Sequence, residues 1–555
     1  MNDYIYSYDI FDTCLIRACG TPINVWDILA HKVLGNAVDD SLISDFVLIR
    51  HKAEGEAREQ LINKTKEDIT LEDIYTYCDF STLTSMSKEN IMKKEIEVEE
   101  SMLVPVLKIK EEIDNLHQNG HYVVFISDMY LPTSFILKKL ISVGLYSEDD
   151  RLFISGDIGK TKSTGHLFDF VRGELNTDFS HWIHKGDNKH SDYNIPKKKG
   201  INARIVCHKP SYYECLMKRN SNSISSSDMI KIANISRSIR LCTKDTPANR
   251  FAADFIAPLM TTFVHHIFED AHHRGLQHLY FMARDACLLY HIAQQFTQNY
   301  PHISIHYLYG SRQSLYHPDE NCIKYLEQEG VTRSHCAIID MIGSRRCQQS
   351  INNLLRQHGY NDVYAYYFEV TPYRIQSSDN YDSMYYQEKM AGSIYYHNVS
   401  HPLYEQYFGI TNQLRTIGYK KDGSKYVPIY EEDLLNMDYK KQVFTINTTI
   451  CRDFVKHYIE LQIKEPVRCN NIVHAVFAHF CHVPRKEFLD ALNGFFSTSS
   501  GITQEPLLVK RSLVDIVFNK KHYLRWKQGN LIYNSGFLYH LIHALLVLHY
   551  LKKQL

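Results

Sequence analysis

The feature that most constrains this chain is a repeated alternation of short apolar runs with amphipathic segments, each apolar run ending in polar residues. The first run is Ile5 to Tyr8, closed by Asp9. After residue 116 come HYVVFIS, the helically spaced LPTSFILKKLISVG, and then RLFIS, HWIHKGD and INARIVC. Short apolar runs separated by helical segments predict a parallel α/β sheet. A second alternation follows, with a helix over 249–274, the strand LYFMA over 279–283 and a helix over 285–296. It continues with strands over 303–309 and 336–342, a helix over 345–357 and a strand over 363–370. Two such layers suit a chain of 555 residues, for which about 150 residues per domain gives three to four domains.

Other stretches differ in texture. Residues 21–115 are rich in Glu and Lys and read as helices; Glu95 and Glu99 share one face, while Met102, Val106 and Ile109 form an apolar stripe. The Ser/Asn-rich run MKRNSNSISSSD reads as a linker. From about residue 400 the pattern turns helical, apart from a hairpin signalled by Asp422-Gly423. The expected organisation is a core of residues 1–20 and 116–210 carrying a helical insertion at 21–115, and then a linker at 211–230. A second α/β domain over 231–400 and a mostly helical region over 401–555 complete it.

Composition narrows the function. Lys and Arg number 62 against 63 Asp and Glu, so the net charge of -1 supplies no global attraction to nucleic acid, and no nucleic-acid module is present. The 13 Cys include no CxxC pair and no zinc-spaced cluster, the usage of a reduced, cytoplasmic protein. The N-terminus lacks the pattern of a secretory signal, and no run of 18 uncharged apolar residues predicts a transmembrane segment. The terminal FLYHLIHALLVLHYLKKQL is too short to span and reads as a buried helix, with peripheral membrane attachment or a protein partner as the alternative.

Four signals fall at predicted strand ends. Asp9 closes the first strand, with Thr13 four residues later; Ser127 closes VVFIS; Lys162 precedes a helix; Asp187 follows HWIHKG, with Asp192 five residues further on. Strand C-terminal ends converge on one crevice in an open parallel sheet, so these residues can meet. A carboxylate can attack phosphorus, provided that a cation and a lysine offset the accumulating negative charge. Asp9, Asp187 and Asp192 offer the hard oxygens that Mg²⁺ takes.

These four signals resemble the motifs of the haloacid dehalogenase (HAD) superfamily, over about residues 1–210. The resemblance implies a Rossmann-like core with a helical cap, Asp9 as nucleophile and metal ligand, and Thr13 and Ser127 as phosphoryl-orienting groups. It further implies Lys162 as the neutralising cation and Asp187 and Asp192 as Mg²⁺ ligands, with Phe11 contributing its backbone carbonyl. The wording SYDIFDTCLIR, FISDMYL and HKGDNKHSD also resembles a subgroup associated with glycosyltransferases and surface polysaccharide synthesis. The implied substrate is a small phosphorylated metabolite, such as a sugar phosphate or nucleotide-sugar precursor.

One departure matters. The superfamily's phosphatases carry an acid two residues after the nucleophile, and here that residue is Phe11, with Asp12 one place later. Either Asp12 takes over proton transfer through a turn, or the acid is lost. The readings left open are a phosphatase, a dehalogenase or phosphonatase, and a weakly active or inactive scaffold that binds a protein partner through its second half.

The second alternation repeats the strand-end pattern. Arg284 and Asp285 follow LYFMA, Ser311 and Arg312 follow ISIHYLY, and Asp340 lies in CAIIDMI before Gly343, which marks out a second candidate ligand crevice. Arg50, Glu54 and Arg58, spaced at i, i+4 and i+8, read as a solvated salt-bridge ladder.

Overall fold

The structure is a computed structural model that describes residues 4–35, 38–62, 66–217, 226–343, 345–370, 381–386, 399, 402–411, 413–431, 437–499, 503–518 and 526–554. The chain divides into two units, Met1–Arg219 with Ile230–Lys244, and Asn220–Met229 with Asp245–Leu555.

The first unit contains β1 (Ile5–Tyr8), β2 (Leu15–Arg17), β3 (Leu103–Pro105), β4 (Val123–Ser127), β5 (Arg151–Ile154), β6 (Trp182–Gly186) and β7 (Asn202–Ile205). Five of these form a parallel sheet in the order β5-β4-β1-β6-β7. Every residue of β4 is buried, as expected of a strand with helices over both faces. Chain order runs outward from β1 through β4 to β5 on one side and continues through β6 to β7 on the other. The topological switch therefore lies between β1 and β6, where Asp9 and Asp187 emerge.

The insertion leaves and re-enters through an antiparallel ribbon in which β2 pairs with β3, Arg17 lying opposite Leu103. Between these strands lie helices Pro22–Leu34, Asp40–Leu61, Leu71–Tyr77 and Lys88–Met102. Local chemistry fixes their starts: Asp39 and Ser87 accept backbone N–H bonds, and Thr70 with Asp73 forms a reciprocal capping box.

The ladder expected at Arg50, Glu54 and Arg58 forms, but it is not solvated throughout. Arg50 is fully buried beneath Trp26, its guanidinium carbon 4.6 Å from the ring, and donates two bonds to buried Glu95 at 2.9 and 2.8 Å. Arg17 holds Glu99 in the same way, so the Glu95/Glu99 face of its helix is interior, each carboxylate matched by an arginine from another element.

In the second unit, β8 (His278–Met282), β9 (Ser304–Leu308), β10 (Cys336–Gly343), β11 (Tyr364–Val370) and β12 (Tyr381–Tyr386) form a parallel sheet in the order β12-β11-β10-β8-β9. The hairpin of β13 (Thr416–Asp422) and β14 (Lys425–Tyr430) turns at Gly423, whose φ of +60° suits glycine. Helices Met437–Glu460 and Pro466–His482 follow.

One helix among the described residues, Pro247–His273, is long and apolar enough to cross a membrane, and 89% of its most apolar window is buried inside the protein. It includes a π-helical turn at Ala252–Ile256. The terminal helix Tyr539–Gln554 differs from the buried helix expected, because Leu541, Leu545 and Leu548 remain exposed along one side.

Candidate active site

The site forms where β1, β4 and β6 end. Asp9 is fixed by its own N–H, which donates to Lys185 O at 2.8 Å. The chain then tightens: Cys14 and Leu15 N–H both bond Ile10 O, and Asp12 adopts a left-handed φ of 57°. This turn separates Phe11 from Asp12. Phe11 is buried with the Arg17 guanidinium 4.8 Å from its ring, whereas Asp12 is half-exposed with Arg237 Nη2 4.0 Å away. The buried Thr13 hydroxyl has no hydrogen-bond partner among the described residues.

Lys162 joins the acids. Its Nζ donates to Asp9 Oδ1 at 2.5 Å and to Asp192 Oδ1 at 2.6 Å, all three side chains being nearly inaccessible. Ser127 Oγ donates to the same oxygen of Asp9 at 3.2 Å. One carboxylate oxygen from each of Asp9, Asp187 and Asp192 lies within 4.8 Å of the others, a spacing that could hold one cation. Three hard oxygen donors suit Mg²⁺ better than a soft metal.

The electrostatics follow from crowding. Burial pushes the Asp9 carboxyl above the usual carboxylate range, although Lys162 opposes it. Burial acts on Asp192 in the same sense, but Lys162 and His184 together outweigh it and hold that carboxyl well below the usual range. Asp187 stands at the exposed rim, yet partial burial and the Asp12 and Asp192 charges lift it to about 6. Burial discourages the Lys162 charge, and the surrounding aspartates more than restore it.

Residues outside the four signals support this cluster. Asp128 accepts the backbone N–H of Lys162 at 2.7 Å and of Ser163 at 3.3 Å, tying the lysine loop to the end of β4. Glu67, from the insertion, accepts Thr161 N–H at 3.0 Å and the Thr164 hydroxyl at 2.7 Å. An adjacent acid beside Ser127 was a visible signal for Asp128; nothing in the local sequence pointed to Glu67. Gly186 is required for space, since a Cβ there would lie 2.4 Å from Asp192 Cγ.

In the second unit, Arg284 and Asp285 follow β8, Arg312 follows β9, and Asp340 lies within β10, so all four come from the C-terminal halves of parallel strands or the turns after them. The thiol of Cys347 is pushed up to about 12, mainly by burial, and it feels the charges of Asp340, Arg312 and Asp285 together. A concavity of about 740 Å³ elsewhere in this unit is lined by residues including His266, Glu269, Lys464 and Arg468. It shares no residue with either strand-end cluster.

No protein-family model matches the chain, and no curated protein sequence matches it. Solved structures do. An HAD phosphatase from Thermococcus onnurineus is 16% identical over 38% of this chain and 89% of its own, with a TM-score of 0.26. The HAD-hydrolase YfnB from Bacillus subtilis, bound to magnesium, is 18% identical over 36% and 86%, with a TM-score of 0.26. An L-2-haloacid dehalogenase from Xanthobacter autotrophicus is 12% identical over 41% and 87%, with a TM-score of 0.30. These structural neighbours are HAD-superfamily hydrolases.

Proposed function

We propose that the first unit is a Mg²⁺-dependent phosphohydrolase that works through an aspartyl-phosphate at Asp9. The observation that carries this reading is the single buried ammonium of Lys162 bridging Asp9 and Asp192, with Asp187 completing a three-carboxylate cluster. Asp9, Asp187 and Asp192, with the Phe11 carbonyl, would hold Mg²⁺, which when bound supplies positive charge to offset an incoming phosphate.

Lys162 and Ser127 both hold Asp9 Oδ1 and so orient the carboxylate; Oδ2 is left to form the bond to phosphorus. As that bond forms, the bond from phosphorus to the leaving oxygen breaks, and the leaving oxygen takes a proton. Water then attacks the phosphorus, releasing phosphate and restoring the carboxylate. Thr13 supplies a phosphoryl contact through its unpartnered hydroxyl, and Ser127 and Lys162 supply two more.

Asp12 is the proton donor in this reading, because the left-handed turn separates its side chain from Phe11 and its charge is felt by Asp187. The substrate is a small phosphorylated metabolite, a sugar phosphate or nucleotide-sugar precursor in surface polysaccharide synthesis. The protein is cytoplasmic, and the exposed leucines of the terminal helix support a partner or peripheral membrane contact there. The second-unit residues Arg284, Asp285, Arg312 and Asp340 form a separate ligand crevice.

The packed Phe11 favours one second reading, a weakly active scaffold that keeps the site without its acid. Phosphate release from a panel of phosphorylated metabolites, with and without Mg²⁺, separates the two. Mg²⁺-dependent release lost in Asp9→Asn supports the hydrolase; no release by folded protein across the panel supports the scaffold.

A further inference from the structure

Behind the acid cluster, a chain of buried polar groups runs into the core of the first unit. Trp182 Nε1 lies 2.6 Å from Ser7 Oγ, Ser7 Oγ 2.7 Å from His184 Nδ1, and His184 Nε2 3.2 Å from Asp192 Oδ1. Trp182, Ser7 and His184 are entirely inaccessible. Ser7 lies on β1 opposite His184 on β6, and Trp182 is two residues before His184 on the same face of that strand. A buried polar chain is costly unless every member is matched, so its presence beneath a functional cluster calls for an account.

Its direction follows from what each group can do. An indole N–H only donates, so Ser7 Oγ must accept from Trp182. An ionised carboxylate only accepts, so His184 must carry a proton on Nε2 to bond Asp192. With the lone pair on Nδ1, the one hydrogen of Ser7 points there, at 2.7 Å, in preference to Ile183 O at 3.5 Å. Each donor meets one acceptor from Trp182 to Asp192 without a reversal. Asp192 consequently receives His184 and Lys162 on Oδ1 and the Asn188 N–H, at 3.0 Å, on Oδ2.

We infer that His184 is a positioning residue for the cation site, its Nε2–H tautomer fixed by Trp182 through Ser7 so that Asp192 is held in one orientation. This rests on the metal-dependent reading of the site for its consequence, but not for the hydrogen-bond chain itself. Outer groups that orient a metal ligand are typically worth 10- to 100-fold in metal affinity.

The test uses the full chain and Mn²⁺ as the probe. Nitrogen-15 NMR of labelled histidine in wild type is expected to show His184 neutral and protonated on Nε2; an Nδ1–H tautomer or an imidazolium overturns the inference. Mn²⁺ affinity, read by electron paramagnetic resonance, is expected to fall about 10- to 100-fold in His184→Leu. His184→Gln can place an N–H where Nε2 stood, and is expected to retain affinity within about threefold. Trp182→Phe keeps an aromatic ring and removes only the first donor, with a smaller loss expected. Equal binding by His184→Leu and wild type overturns the positioning role, and an equal loss in His184→Gln assigns the effect to packing and does the same. If wild type binds no Mn²⁺, the metal-dependent reading and the role of His184 in it fall together, while the tautomer assignment stands or falls on NMR.

Discussion

The two parallel sheets share an architecture and differ in what they bring to their strand ends. Each has five strands, and each changes direction beside its first strand, between β1 and β6 in one and between β8 and β10 in the other. The first gathers three carboxylates around one buried lysine. The second presents two arginines and two aspartates, charges that can match one another without a ligand. Topology therefore supplies a crevice in both units, whereas only the first concentrates like charge enough to call for a cation.

The largest effect tests that contrast directly. Asp9→Asn is expected to lower phosphate release by about 10⁴-fold or more, since it removes the proposed nucleophile. Asp340→Asn, at the corresponding crevice of the second sheet, is expected to leave release within about twofold. Comparable losses in steady-state assays would show that the two crevices serve one reaction.

Buried and exposed ion pairs sharpen the comparison next. Arg50→Ala would strand Glu95 in a closed interior with, among the described residues, only the Tyr75 hydroxyl, 2.7 Å away, still donating. A cost of about 3–5 kcal/mol is expected in urea unfolding. Arg356 in the second unit pairs with Asp362 at 2.7 Å, but both side chains reach solvent. Arg356→Ala is expected to cost no more than about 1 kcal/mol.

Two glycines, one ending a strand and one just after another, give a third pair. A Cβ at Gly186 would lie 2.4 Å from Asp192 Cγ, and Asp192 is pinned by Lys162, His184 and Asn188. Gly186→Ala is expected to weaken Mn²⁺ binding about 10- to 100-fold, measured by titration calorimetry. A Cβ at Gly310, just after β9, would meet the Met282 methyl at 2.9 Å, the far end of a flexible side chain that can turn aside. Gly310→Ala is expected to change the melting temperature by only a few degrees.

What the sequence made legible follows from range. Both sheets, the Asp422-Gly423 hairpin and the strand-end positions of Asp9, Ser127 and Asp187 rest on short-range patterns of apolar runs and turn residues. The burial of Arg50 was hidden because its partner, Glu95, lies 45 residues away and i+4 spacing offers Glu54 first. Glu67 reaches Thr161 across 94 residues, and Ser7 meets His184 across 177, contacts that no local period encodes. Phe11 and Asp12 lay between, since adjacency predicts opposite directions while only the turn shows which residue stays near solvent. The Ser/Asn-rich stretch expected as a linker lies partly over residues 218–225, outside the described residues, and Ile230–Lys244 groups with the first unit.

The smallest effect concerns acid. Glu269, in the second unit, is lowered to about 2, with His265, 3.6 Å away, as the main cause and Tyr300 assisting against partial burial. Its folded value lies below its unfolded one, so its contribution is present above pH 4.5 and is lost as pH falls towards 2. Asp187 in the first unit runs the other way: raised to about 6, its contribution is present below pH 3.8 and lost as pH rises through 6. Because 43% of the Glu269 side chain is exposed, solvent screening keeps its effect below about 1 kcal/mol. Hydrogen exchange along Ala257–His273 between pH 4.5 and 2 is the measurement. Wild type is expected to lose protection across that window, and Glu269→Gln to start with slightly less protection and lose less of it. Matching slopes would leave Glu269 no part in the acid response of the second unit.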